Sequence, residues 1–265
     1  MCVNNHNSSG HFALVNVSWD LLGGLIFLCL IVVYVIAVIV SNRRYKRWPA
    51  YRTCFWIMGV VSAAAGVIGP LARQAHHDFT AHMGVHLLIG MLSPLLIALS
   101  APMTLLFRTV SVNAGRLLSH LLKSQAIRFL TDPLVASLMN VGGLWILYTT
   151  NMYADMHENV LLYVLVHLHI FLAGYTFTVS MIYIDPISHR TSFLYRAIVL
   201  IFAIAAHSVL AKYIYVHPPV GVPASQAEAG AMFMYYGGDA VTLIIIYVFC
   251  YQWYRSARPR VPVSG

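Results

Sequence analysis

The sequence is poor in charge. Only 9% of its 265 residues are Asp, Glu, Lys or Arg. Soluble domains carry about 25% charged and roughly 45–50% apolar residues, whereas this chain is 60% hydrophobic, which excludes a soluble globular domain. Cysteine is scarce as well. Cys2, Cys29, Cys54 and Cys250 form no Cys-x-x-Cys pair, and two of them lie inside apolar runs, so neither a disulfide framework nor a zinc ribbon is supported. There is no Gly-x-Ser-x-Gly elbow, no His-Glu-x-x-His motif and no glycine-rich phosphate loop. The last apolar run lacks the lysine that a retinal pigment needs. No repeat, low-complexity tract or long polar segment divides the chain, so it reads as one membrane domain.

What the sequence has is apolar length. Runs of about 18 or more apolar residues read as membrane spans, and backbone at membrane depth must satisfy its own hydrogen bonds, so each run is expected to be a helix. The expected spans are 17–41, 51–70, 81–107, 133–150, 160–184, 194–215 and 232–253. They make an all-α, seven-transmembrane-helix bundle over residues 17–254, with a short outer tail at 1–16 and a cytoplasmic tail at 255–265. Pro94 and Pro102 should bend the third span, with a split into two shorter pieces at Pro94 as the alternative. Within 112–129, Leu117, Leu118, Leu121 and Leu122 share a face opposite Arg116, His120 and Lys123, the pattern of a helix lying on the membrane surface.

The net charge of +8 belongs to orientation rather than to nucleic acid. Loop 42–52 holds Arg43, Arg44, Lys46, Arg47 and Arg52, and segment 108–132 holds Arg108, Arg116, Lys123 and Arg128. Arg190, Arg196, Arg255, Arg258 and Arg260 fall on the same side, leaving only Arg73 and Lys212 on the other. The lysine- and arginine-rich side is cytoplasmic, so the N-terminus is expected outside and the C-terminus inside. Residues 1–16 lack the charged start of a cleavable signal, and the first span is read as a retained anchor.

Thirteen histidines are many for so apolar a chain. His82 and His86 open the third span, four residues apart and therefore on one helix face. At 1.5 Å per residue, His167 and His169 lie about 10–14 Å down the fifth span and His207 about 12 Å down the sixth, at one shared depth in the outer half. His167 and His169 stand about 200° apart around their helix, so only one of them can face a common centre. Ionisable groups inside a membrane mark sites or pathways, and imidazole suits copper, zinc, iron and nickel. The plainer reading makes each histidine an interhelical hydrogen-bonding group. Convergence from three helices favours a metal site built from His82, His86, His167 and His207, with His169, His76 and His77 as further candidates. Met83 and Met234 add thioethers, which select Cu(I), although methionine is also a common packing residue. Asp239 is a candidate acceptor for a ligand imidazole, with pairing to Lys212 or helix capping as the alternatives. Cys2, His6 and His11 on the short outer tail could capture metal, but an unstructured tail is the plainer reading.

Three segments resemble a known family. Ala81-His82-Met83-Gly84-Val85-His86-Leu87-Leu88, followed by Ser93-Pro94-Leu95-Leu96 and Ala101-Pro102, resembles the signature of the CtaG-like assembly factors for caa-type cytochrome c oxidase. His167-Leu168-His169-Ile170-Phe171-Leu172-Ala173-Gly174 resembles the family's histidine-plus-glycine segment. Gly230 to Gly238 is similar to its methionine-aromatic-glycine stretch at the start of the last helix, and the resemblance runs from about 20 to 255. It carries His82, His86 and His167 onto the family's histidines. Tyr163 stands where another histidine is expected, and Tyr235 replaces a tryptophan. The resemblance implies a non-enzymatic assembly factor of the bacterial plasma membrane that handles copper, as Cu(I), at the outer face. Its implied partners are cytochrome c oxidase subunits, other copper chaperones and the lipid bilayer. Two alternatives stay open on the residues: a membrane cytochrome with haem held between His82 or His86 and His167, and a metal-free transport or receptor protein.

Overall fold

The computed structural model describes residues 6–187 and 189–258, with side chains from residue 20 onward. Among them the chain is helical and has no strand. Helix α1 (His6–Arg44) is followed by α2 (Ala50–Val67), α3 (Pro70–Gln74) and α4 (Phe79–Leu99). Short helices α5 (Pro102–Thr109), α6 (Val112–Leu122) and α7 (Gln125–Leu130) lead to α8 (Pro133–Thr149) and α9 (Met152–Glu158). The chain closes with α10 (Val160–Met181), α11 (Phe193–Val216) and α12 (Ala224–Ala257).

Six segments are long and apolar enough to cross a membrane: Asp20–Arg44, Ala50–Gln74, and helices α4, α10, α11 and α12. The expected fourth span forms the shorter apolar helix α8. The boundaries follow local chemistry. Side-chain oxygens of Asp78, Asp132, Asn159 and Ser192 accept from the first free amides of α4, α8, α10 and α11, which helix starts otherwise leave without partners.

Four expectations on element bounds are corrected. The third span ends at Leu99 rather than 107. The proline at 102 disfavours helical backbone at the residue before it, and Ala101 takes a left-handed conformation with φ 54°. The Asp185 carboxylate closes this break by accepting from the amides of Met103 and Thr104, at 3.1 and 2.7 Å. Pro94 makes no break; the backbone widens just before it into a π-helical turn over Leu87–Leu92. The helix expected over 112–129 divides at Ser124, whose hydroxyl caps α7. The first helix reaches back to His6 instead of starting at 17, so the tail expected to be unstructured is helical from His6, while Cys2 lies outside the described residues.

Two ends of the bundle are distinct. A basic end gathers the loop before α2, helices α5 to α7 and the loop before α11. There Arg196, 1% exposed, donates to the carbonyl of Met181 at 2.7 Å and lies over the rings of Tyr183, Phe193 and Phe249. At the opposite end, the residues before α4, helix α9 and the start of α12 meet over an apolar cluster that includes Phe79, Met83, Tyr148, Met156 and Met234. Helix α1 is mostly exposed from Asp20 onward. It is fastened by Tyr34, whose hydroxyl donates to the carbonyl of Ser100, and by an ion pair between Asp20 and Arg73.

Candidate metal centre

The apolar end of the bundle is where the histidines meet. His82 and His86, one turn apart on α4, are 1% and 3% exposed. The Nε2 of His82 lies 3.1 Å from the hydroxyl of Tyr148 on α8, and its ring meets that of His167 on α10 edge-on at 6.1 Å. His86 faces His207 of α11 instead, with ring centres 6.5 Å apart and planes within 25°. Neither ring nitrogen of His86 has a hydrogen-bond partner, and neither does Nε2 of His207. A buried polar atom left unpaired costs about 1–3 kcal/mol, so a polar partner or ion at any of these three nitrogens would be stabilising.

Glycines make this arrangement fit. A Cβ on Gly238 would stand 2.7 Å from Cε1 of His207, and one on Gly90 would stand 3.2 Å from Nδ1 of His86. A Cβ on Gly174 would run into the carbonyl oxygen of Gly90, so α10 can approach the π-helical turn of α4 only with glycine there. Such turns occur frequently at functional sites. Here it directly follows His86.

His167 and His169 separate as helix geometry requires. Nδ1 of His167 faces the carbonyl of Tyr163 at 2.8 Å. A carbonyl only accepts, so Nδ1 carries the proton and Nε2 keeps a free lone pair. Ligand histidines are commonly oriented in this way. His169 is exposed on the other side of α10, its Nε2 3.2 Å from the carbonyl of Met139, and it does not join the group.

Further out, His76 stacks on Tyr163 at 4.7 Å and meets His157 at 6.1 Å. Burial, followed by the charges of His157 and His77, pushes His76 below the usual histidine range. His77 is exposed and lines the same cavity as His76. Met83 and Met234 are packed in the apolar cluster, 0% and 1% exposed. Asp239 lies well inside α12 and so caps nothing. Lys212 sits over the ring of Tyr235.

The expected four-histidine set is thus divided into two pairs, His82 with His167 and His86 with His207. Among the described residues no group of three or more His, Cys, Asp or Glu side chains could hold a metal ion. His82 and His86 lie at two levels of α4, and the helices that meet them there, α10 at His82 and α11 at His86, decide the pairing. His157, Tyr148, Tyr153 and Tyr163 had no part in the site expected from the sequence. A signal was present in the repeated Tyr-x-x-x-His spacing at 153/157, 163/167 and 213/217. In the first two of these pairs the tyrosine carbonyl fixes the histidine one turn later.

These features define a multi-pass helical membrane protein with buried histidines paired to half-buried ones. Residues 32–256 match the family described as cytochrome c oxidase caa3 assembly factor (Caa3_CtaG), and the chain belongs to that family. It is also 28% identical over 178 residues to an uncharacterized protein of Mycobacterium leprae (strain TN), a match that covers 64% of this chain and 27% of that protein. The chain therefore spans about a quarter of that relative's length. No solved structure matches it significantly.

Proposed function

We propose that this protein assists cytochrome c oxidase assembly by holding copper, as Cu(I), between paired histidines and passing it to oxidase subunits. Copper is cargo in this reading. The observation that carries it is the set of three unpartnered ring nitrogens on His86 and His207. The free Nε2 of His167 adds a further neutral donor at the level of His82. An ion shared by two imidazoles holds their ring centres about 6 Å apart, from two bonds of ~2.0 Å and roughly 1.1 Å from each nitrogen to its ring centre. The two pairs stand at 6.1 and 6.5 Å. A pair of imidazoles suffices for Cu(I), a soft ion that accepts low coordination, with the buried thioethers of Met83 and Met234 in the same end of the bundle.

The bundle is read as seven-spanning. Helix α8, at 1.5 Å per residue, is about 25 Å long, near the ~30 Å hydrocarbon core. The asymmetry of Lys and Arg then puts the basic end in the cytoplasm and the histidine end outside. Helix α6 buries no residue, and its exposed Leu117 and Leu121 suit contact with the inner leaflet. The setting is the bacterial plasma membrane, and upstream copper chaperones load the site.

Purified protein supplied with Cu(I) should retain copper and show no Soret band. His86→Ala and His207→Ala should lose the metal, while His189→Ala at the basic end should keep it. Full copper in both of the first two variants would sink the reading, and a Soret band would replace it with the haem alternative.

A further inference from the structure

A cavity of about 430 Å³ opens at the histidine end, lined among others by His76, His77, Tyr153, His157 and Glu158. It contains a third histidine pair that the buried site does not use. His76 and His157 meet edge-on at 6.1 Å, with ring planes at 88°. Nδ1 of His157 faces the carbonyl of Tyr153 at 2.8 Å, so its Nε2 is a free donor. Both side chains are exposed, and the carboxylate of Glu158 is available beside them to attract a cation.

This pair is also the first rung of a ladder. His157 stands 6.4 Å from His82, and His82 stands 6.1 Å from His167. One turn deeper on α4, His86 faces His207. By a parallel route His76 stacks on Tyr163, whose ring centre is 4.0 Å from that of His167. The histidine steps from the mouth to His167 are each about one shared-ion spacing, and His86 follows one helical turn beyond His82. A cation moving from water to a dry pair of imidazoles faces a large desolvation cost, and stepwise ligand exchange spreads that cost over the ladder.

We propose that His76 and His157 form a second copper station, at the mouth of the bundle, through which the ion reaches and leaves the buried histidines. The inference rests on the copper reading above. The ion stays Cu(I) throughout, each step exchanges one neutral imidazole nitrogen for another, and no proton or electron moves. His82 is the middle rung, and its Nε2 must leave the hydroxyl of Tyr148 to take part.

The test uses the full chain in detergent, Cu(I) alone as the ligand, and a chromogenic Cu(I) chelator as acceptor. The wild type should show a tight and a weaker class of bound copper. The double variant His76→Ala, His157→Ala should lose the weaker class and release the tight copper at least roughly tenfold more slowly, the scale on which ligand surroundings alter metal sites. The double variant His86→Ala, His207→Ala should lose the tight class and keep the weaker one. His77→Ala, which lines the cavity without a paired ring, should behave as wild type. If the His76/His157 variant keeps both classes and the wild-type release rate while the His86/His207 variant loses copper, the mouth station is refuted and the buried site stands. If the wild type binds no Cu(I) at all, the copper reading itself fails.

Discussion

Replacing Gly238 by Ala tests the copper reading without touching a ligand. The added Cβ would lie 2.7 Å from Cε1 of His207, whereas two carbons settle at about 3.5–4.0 Å. The imidazole must therefore retreat by about 1 Å. Metal–ligand distances tolerate only about ±0.2 Å, so Nε2 of His207 leaves bonding range of an ion shared with His86. Copper affinity should fall by at least roughly tenfold, the lower end of what disturbed ligand support costs. Folding should change little, because Ala gains about 0.5–1 kcal/mol over Gly in a helix interior, which offsets much of an overpacking cost of about 1–3 kcal/mol. Gly237→Ala is the matched control. It brings the same propensity gain, but its Cβ meets the flexible end of Leu87 at 2.8 Å and no histidine. The assay is competitive Cu(I) titration beside thermal unfolding in detergent. Wild-type affinity in the Gly238→Ala protein, with unfolding unchanged, would refute the placement of copper at His207.

Three further outcomes are expected. Tyr148→Phe removes the hydroxyl 3.1 Å from Nε2 of His82 and should cost about 1–2 kcal/mol in thermal stability, the worth of a buried hydrogen bond left half-made. Arg196→Ala strips the donor from the Met181 carbonyl and empties its aromatic cage, so it should destabilise by about 3 kcal/mol or more while copper stoichiometry is unchanged; Arg196→Lys should rescue only in part, because a point charge does not replace a planar stacked guanidinium. With the native cysteines replaced by serine, a cysteine at Glu158 should react with an impermeant reagent on intact cells and one at Ala50 should not. The reverse labelling would invert the orientation.

Much was legible in the sequence because a bilayer imposes few solutions. Apolar length alone identifies α1, α2, α4, α10, α11 and α12, since exposed backbone cannot exist in hydrocarbon. The asymmetry of Lys and Arg sorts the loops into two sets for the same kind of reason, one that needs no knowledge of packing. Helix periodicity was enough to put His82 and His86 on one face, and to say that His167 and His169 diverge. Composition also pointed away from a soluble domain and lent no support to a disulfide scaffold.

Packing decided the rest. The partner of each histidine depends on how neighbouring helices approach, and glycine contacts set that approach: Gly174 against the carbonyl of Gly90, and Gly238 against the ring of His207. Spacing along one chain carries no information on such distances between helices. The left-handed turn at Ala101 and the π-helical turn after His86 reset the rotation of everything beyond them, so periodicity counted through 81–107 loses its register. Hence the sequence could place five histidines at one depth, but only the tertiary structure could divide four of them into two facing pairs and turn His169 away.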